Sequence, residues 1–475
     1  VPRAGIVALL TAALCVACAL PPRPLQPLQA PQATAAAYVI VGAEGQAVAR
    51  LLTDAAQCPA LQVDGATVPM QTRSGPQTVA QRPTQSAPAL SKPSVFALRV
   101  CELALPAGTR RASLDGRALP LPTPVARRIV VIGDTGCRIK QSDHAFQDCG
   151  DQDAWPFAQV ARAAAATHPD LVIHVGDYHY RETPCPPERP GCRASPWGYG
   201  SDAWQADLFA PAAPLLAAAP WVVLRGNHEE CTRAGQGWFR FLDPAPFEAH
   251  RSCDRAADDD EADYSPPYAV PLGGGQQLIV FDSARAGNRP LDPAKPKDAR
   301  TLAAYIADMQ VVDTLAARTG QHSFFLSHHP VLAFAASASG QLYGGNPALQ
   351  AAMRSLHGTA YFPAGVEAAL HGHVHLFQAL DFASGQPPTL VAGNGGDNLD
   401  ALLPATLPPG TTPADGVVLK RITHAGRFGF LVMDRQNDAP DSGWHLSARR
   451  SDGSVLAECE LAQRQLHCDR TGMVD

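Results

Sequence analysis

Five short clusters along the chain carry side chains suited to binding metal ions and moving protons. They are Gly133-Asp134-Thr135-Gly136, Gly176-Asp177-Tyr178-His179-Tyr180, Gly226-Asn227-His228-Glu229, Ser327-His328-His329-Pro330 and Gly372-His373-Val374-His375. Carboxylate, phenol, amide and imidazole are oxygen and nitrogen donors for a divalent or trivalent cation. Taken singly each cluster has a plain reading: Gly-Asp after a strand is a turn, Asn-His caps a helix, and a tyrosine packs. Gly-His-x-His says more, because alternate residues of a strand point the same way and bring two imidazoles to one place. Five such clusters in one order argue for a single centre.

The elements around them explain how they meet. Residues 127–134, 170–177, 221–229, 322–330 and 366–375 each carry an apolar run that ends in one of the clusters. In an open α/β sheet, ligands gather at the carboxyl ends of strands, so these ends should converge. Helical patterns lie between them at 157–168, near 204–218 and at 299–318, and further strands are read at 276–283, 376–382, 388–396, 428–435 and 444–462. Strands alternating with helices, followed by a β-rich tail, predict an α/β fold with two mixed sheets packed as a sandwich and flanked by helices. Before this, residues 37–124 read as a small all-β, sandwich-like domain, with the polar, proline-rich stretch 71–93 as a long loop. Residues 125–475 then form the second domain.

The chain has 475 residues, 46% hydrophobic and 17% charged, which describes a globular protein. A net charge of −6 and the lack of basic runs interleaved with aromatics give no reason to expect a nucleic-acid binder. Residues 1–20 read as an export signal: Arg3, an apolar run to Leu20, then Pro21-Pro22. Residues 21–36 read as a Pro-rich tether, and Cys18 is a candidate for lipid modification, the one route to a membrane. Apart from Cys15 and Cys18, ten cysteines remain, in neighbouring couples: 58–101, 137–149, 185–192, 231–253 and 459–468. An even count so spaced suits disulfides made in an oxidising compartment. No CxxC knuckle outside the leader supports a structural zinc site instead. Alanine- and proline-rich filler with few lysines points to a bacterial source, hence a periplasmic or secreted protein.

The clusters together resemble the calcineurin-like metallophosphoesterases, and within them the purple acid phosphatase pattern GDxG, GDxxY, GNHE, a strand-ending histidine and GHxH. The resemblance covers residues 127–400. Where most of that superfamily has Asp-x-His, this chain has Gly136 in place of the histidine, and Tyr180 follows Asp177 by three. The resemblance implies that Asp134, Asp177, Tyr180 and His375 hold a first metal, and that Asp177 bridges to a second held by Asn227, His328 and His373. His228 matches the catalytic histidine that protonates the leaving group. His179, His329, His371 and Asn394 are weaker candidates for supporting or substrate contacts.

Two aspartates and a phenolate favour Fe(III) at the first site, while imidazoles, an amide and a shared carboxylate suit Zn(II), Fe(II) or Mn(II) at the second. Two ions of total charge about +4 to +5 would leave a positive pocket for phosphate in an acidic protein. The function implied is hydrolysis of small phosphate monoesters by a metal-bound hydroxide. A phosphodiesterase or nucleotidase with the same centre, or a non-catalytic binding module, is the alternative reading. Arg138 and Lys140, close after the first cluster, read first as solvated loop charges and only second as phosphate contacts. Tyr199, Trp197 and Arg193, in the long loop 181–201, read equally as substrate contacts or as packing.

Overall fold

In the computed structural model, which describes residues 1–2, 34–318 and 320–475, the strand runs read from sequence assemble into two large sheets lying face to face. The leader, most of the tether and Cys18 lie outside the described residues. Residues Ala33–Asp475 form one compact unit.

The first sheet has eleven strands. Its middle runs, side by side, Gly429–Arg435, Arg128–Ile132, Leu171–His174, Trp221–Val223 and Thr34–Val41. The second has eight, with Gln276–Phe281, His322–Ser327, Val366–His371 and Thr389–Ala392 adjacent and parallel. Strand pleating explains why these segments read as unbroken apolar runs. Ile129 and Val131 face the second sheet with Ile173 and Val222, against Leu278, Phe324, Leu326 and Leu370. Val130, Ile132 and Val172 point the other way, onto the helix Phe157–Ala165 and the segment around Trp204. On the far side of the second sheet, Ile279, Phe281 and Phe325 pack against Tyr305 and Met309 of the helix Pro296–Ala316 and against Leu349 and Met353 of Pro347–His357. The result is four layers, helix–sheet–sheet–helix.

The strand-rich N-terminal region adds to the edge of the first sheet. Thr34–Val41 pairs in parallel with Trp221–Val223, Ile40 lying opposite Trp221, and Ala47–Thr53, Arg99–Ala104 and Gln71–Ser74 follow outward. A four-stranded sheet from residues 60–69 and 112–118 packs beside them. The stretch 71–93 is not wholly loop. Gln71–Ser74 is an edge strand, and Gln77–Val79 pairs with Ser94–Phe96. Its polarity has a structural reason: Arg73 is buried and donates to the carbonyls of Phe239 and Ala245 while pairing with Glu102. All five neighbouring cysteine couples are disulfide-bonded. Among the described residues no helix is long and apolar enough to cross a membrane.

Candidate metal centre

The carboxyl ends of three parallel strands of the first sheet and two of the second meet at a single edge of the sandwich. Asp134 follows Arg128–Ile132, Asp177 and Tyr180 follow Leu171–His174, and Asn227 and His228 follow Trp221–Val223, all from the first sheet. His328 follows His322–Ser327, and His373 and His375 follow Val366–His371, from the second. The first two turns are laced together: the Asp134 N–H donates to the Gly176 carbonyl and the Thr135 N–H to that of Asp177, both at 3.0 Å. Asp134, Asp177 and His373 have φ of 57°, 59° and 67°, a region that non-glycine residues seldom occupy. Strain kept at three converging side chains is a mark of a functional site. Gly226 is required by proximity, since a Cβ there would lie 2.1 Å from Asp177 Oδ1.

The Tyr180 hydroxyl lies 3.1 Å from Asp134 Oδ1, 2.9 Å from Asp177 Oδ2 and 3.1 Å from His375 Nε2. A phenol has one proton to donate, so it can serve only one of the two carboxylates. Asp177 Oδ2 is also 3.1 Å from His328 Nε2, which makes Asp177 common to a second group. There, Asn227 Oδ1 is 3.2 Å from His328 Nε2 and 3.0 Å from His373 Nδ1. Ligand atoms of Asp134, Asp177 and His328 lie within 4.8 Å of one another, as do those of His328, His329 and His373.

Electrostatics describe the same cluster. Burial pushes the Asp134 carboxyl up from its ordinary pKa. Burial also opposes the charge on Asp177, but His328 and His228 outweigh it and hold that carboxyl well below its usual range. In return burial works against a proton on His328 and His375, yet Asp177 lifts the first to about 9 and Asp134 the second to about 10. Burial, Asp177 and Asp134 raise the Tyr180 phenol well above its normal range. These protons compensate buried carboxylates, and a cation would displace them. Hard oxygens, an amide oxygen and imidazoles crowded at hydrogen-bond distance fit metal ions as ligands.

His228 sits at the edge of this group, its ring 3.8 Å from that of Tyr180. Its Nδ1 is 3.0 Å from Glu182 Oε1, and Arg233 contacts the same ring and the same carboxylate. Burial first, then Arg233, holds the His228 pKa well below its ordinary value. Glu182 is the anchor: it also accepts from the Tyr199 hydroxyl at 3.1 Å and lies 3.4 Å from Lys140 Nζ.

Several sequence expectations change. His329 stands closer to the centre than a neighbour would, its ring 4.1 Å from that of His373 and its Nδ1 3.2 Å from Ser283 Oγ. His179 does not face the centre. Its ring packs 5.6 Å from both Tyr199 and Trp204, because the N–H groups of residues 177–179 all turn toward Glu229. His371 points out of the other face of its strand, with Nδ1 3.0 Å from Ser327 Oγ. The Asn394 amide is spent on the Arg427 carbonyl. Arg138 and Lys140 are not solvated: Arg138 grips the buried Asp397 with its guanidinium 4.8 Å over the Tyr180 ring, and Lys140 is buried against Glu182. Tyr199 is buried with its hydroxyl on Glu182, Trp197 packs under Lys92 of the N-terminal region, and Arg193 folds back to the Pro187 carbonyl.

Three residues were given no role by the sequence reading. Glu229, fully buried, accepts from the N–H groups of Asp177, Tyr178, His179 and Gly226 at 2.8–3.2 Å. Asp397 lies 3.4 Å from His375 Nδ1 and carries Arg138. Glu182 holds His228. The signal for Glu229 is its place closing the Gly226-Asn227-His228-Glu229 cluster, where its side chain accepts from the Gly226 N–H three residues earlier.

A family model for calcineurin-like phosphoesterases matches residues 127–377, just over half of the chain. Among solved structures, the purple acid phosphatase PPD1 from yellow lupin (Lupinus luteus) seeds is 15% identical, over 91% of this chain and 75% of that one, with a TM-score of 0.52. A structure of PhoD is 12% identical, over 92% of both chains, with a TM-score of 0.51. At these identities the likeness is one of fold. No curated protein sequence matches. With the matched span enclosing all five clusters, the chain belongs to the calcineurin-like phosphoesterase family and is a metal-dependent phosphoesterase.

Proposed function

We propose that the chain is a two-metal phosphatase of small phosphate monoesters that works outside the cytoplasm. One observation carries the reading: Asp177 Oδ2 is shared between Tyr180 on one side and His328 on the other, the position of a bridging carboxylate. Asp134, Asp177, Tyr180 and His375 would hold the first ion, and Asp177, Asn227, His328 and His373 the second. When bound, such a pair supplies positive charge that polarises a phosphoryl group and acidifies water. Five disulfides support an oxidising compartment.

The residues of the chain do the rest. Glu182 and Arg233 fix the His228 ring at the rim, and an anionic phosphoryl group arriving beside it would raise its proton affinity. His228 then gives a proton to the departing alkoxide. His228→Gln should therefore lower kcat on glycerol phosphate roughly 10²-fold or more. On p-nitrophenyl phosphate, whose phenolate departs unaided, the loss should be much smaller. Equal losses on both would remove His228 from the proton-transfer role.

The reaction itself is tested by comparing p-nitrophenyl phosphate with its bis ester on purified, metal-replete protein. Faster turnover of the monoester supports the reading, and preference for the bis ester makes the chain a phosphodiesterase. For the first ion, the phenol of Tyr180, buried beside two carboxylates, would ionise only against a strongly charged cation, which favours Fe(III). The active protein should show a purple charge-transfer band that Tyr180→Phe abolishes. A colourless, fully active protein would refute iron and leave the phosphatase reading in place.

A further inference from the structure

Beside the candidate centre lies a cavity of about 320 Å³ that none of its ligands accounts for. Asn227 and His329 form its inner wall, and Asn288, whose Oδ1 is 3.0 Å from His373 Nε2, stands at the junction. The outer wall is Arg285, Arg289 and Lys297, with Gln85 reaching in from the N-terminal region. This volume is at the small end of pockets that hold an organic ligand.

Two of the cations in this wall are held in ion pairs. Glu230 and Asp298 are buried, 4% and 3% exposed, and they hold Arg285 and Arg289 at 2.5 and 2.6 Å. Asp263, also buried, braces Arg285 from behind at 3.4 Å. The Arg289 side chain is 61% exposed, and Lys297 is exposed on the first turn of Pro296–Ala316. Four cations, Arg233, Arg285, Arg289 and Lys297, line the cavity against the two carboxylates Glu230 and Asp298, and a planar guanidinium suits carboxylate or phosphate.

We propose that this cavity is the leaving-group subsite, and that it selects phosphate monoesters whose alcohol part carries a second anionic group. The proposal rests on the phosphatase reading above, and it adds the substrate class. The organic part would lie along Asn227 and His329, with its far anion against Arg289 and Lys297.

The test is a ratio of kcat/KM values on the metal-replete protein. Glucose 6-phosphate is compared with 6-phosphogluconate, which adds a carboxylate, and with glucose 1,6-bisphosphate, which adds a phosphate. The doubly anionic substrates should be favoured about tenfold or more, as one charge-assisted contact allows. Arg289→Gln with Lys297→Gln should bring that ratio close to one. Lys297→Glu, which leaves the Arg289–Asp298 pair in place, should lower it as well. A wild-type ratio near one, or a ratio that survives both variants, would overturn the subsite. Which of the two arms responds more tells whether carboxylate or phosphate is the preferred anion. Failure to hydrolyse p-nitrophenyl phosphate as well would instead bring down the phosphatase reading beneath it.

Discussion

Asp177→Asn is expected to lower kcat/KM on p-nitrophenyl phosphate by at least ~10³-fold, with loss of at least one metal equivalent per chain by elemental analysis. The substitution isolates charge from shape. Asparagine is isosteric and is among the few residues at ease at positive φ, so the left-handed backbone at 59° is undisturbed. Its amide oxygen can still accept the His228 N–H that Asp177 Oδ1 receives at 2.8 Å. What disappears is the negative charge that Tyr180 and His328 share from opposite sides. Retention of both metals and of activity within tenfold would show that Asp177 does not bridge.

Glu229→Ala should have the largest effect on stability, about 4 kcal/mol or more, because it strands four buried N–H donors at once. Glu229 touches no reacting atom. It is a positioning residue that pulls the turn 176–179 down so that Asp177 and Tyr180 stand up. A fall in melting temperature together with weakened metal retention is therefore the expected signature, and Glu229→Gln, which keeps an acceptor oxygen, should recover part of both. An alanine variant as stable as the parent, measured by denaturation with the disulfides intact, would show that water can replace the carboxylate.

What the sequence made legible was whatever is written locally. Polar clusters ending apolar runs marked the candidate ligands, because a strand buried on both faces leaves its end as the place for chemistry. Cysteine couples were readable because each partner lies nearby in the chain, the longest separation being 43 residues. The helix Pro347–His357 was overlooked although Asn346-Pro347 announces it: the Asn346 side chain accepts from the N–H groups of Ala348 and Leu349.

Other features depend on partners far away. Arg138 looked like a solvated charge because Asp397, the carboxylate it grips, comes 259 residues later. His179 looked like a ligand neighbour because nothing in its own turn reveals that Glu229, fifty residues on, rotates it into an aromatic core. The N-terminal run around Tyr38–Val41, read only as part of an all-β region, is buried on both faces, Tyr38 and Ile40 in one core and Val39 in another. That its neighbour would be Trp221 could not be read from either segment.

The neighbour relations of the first sheet have a consequence for how the molecule can come into being. Thr34–Val41, near the start of the described chain, lies beside Trp221–Val223, while Arg128–Ile132 borders Gly429–Arg435 on its other side. No stretch of polypeptide shorter than almost the whole can therefore complete the layer that presents Asp134, Asp177 and Asn227. Long loops must close before these pairings bring any reward, which makes assembly slow and late. A nascent or proteolytically shortened chain would bear raw sheet borders rather than a working fraction of the enzyme.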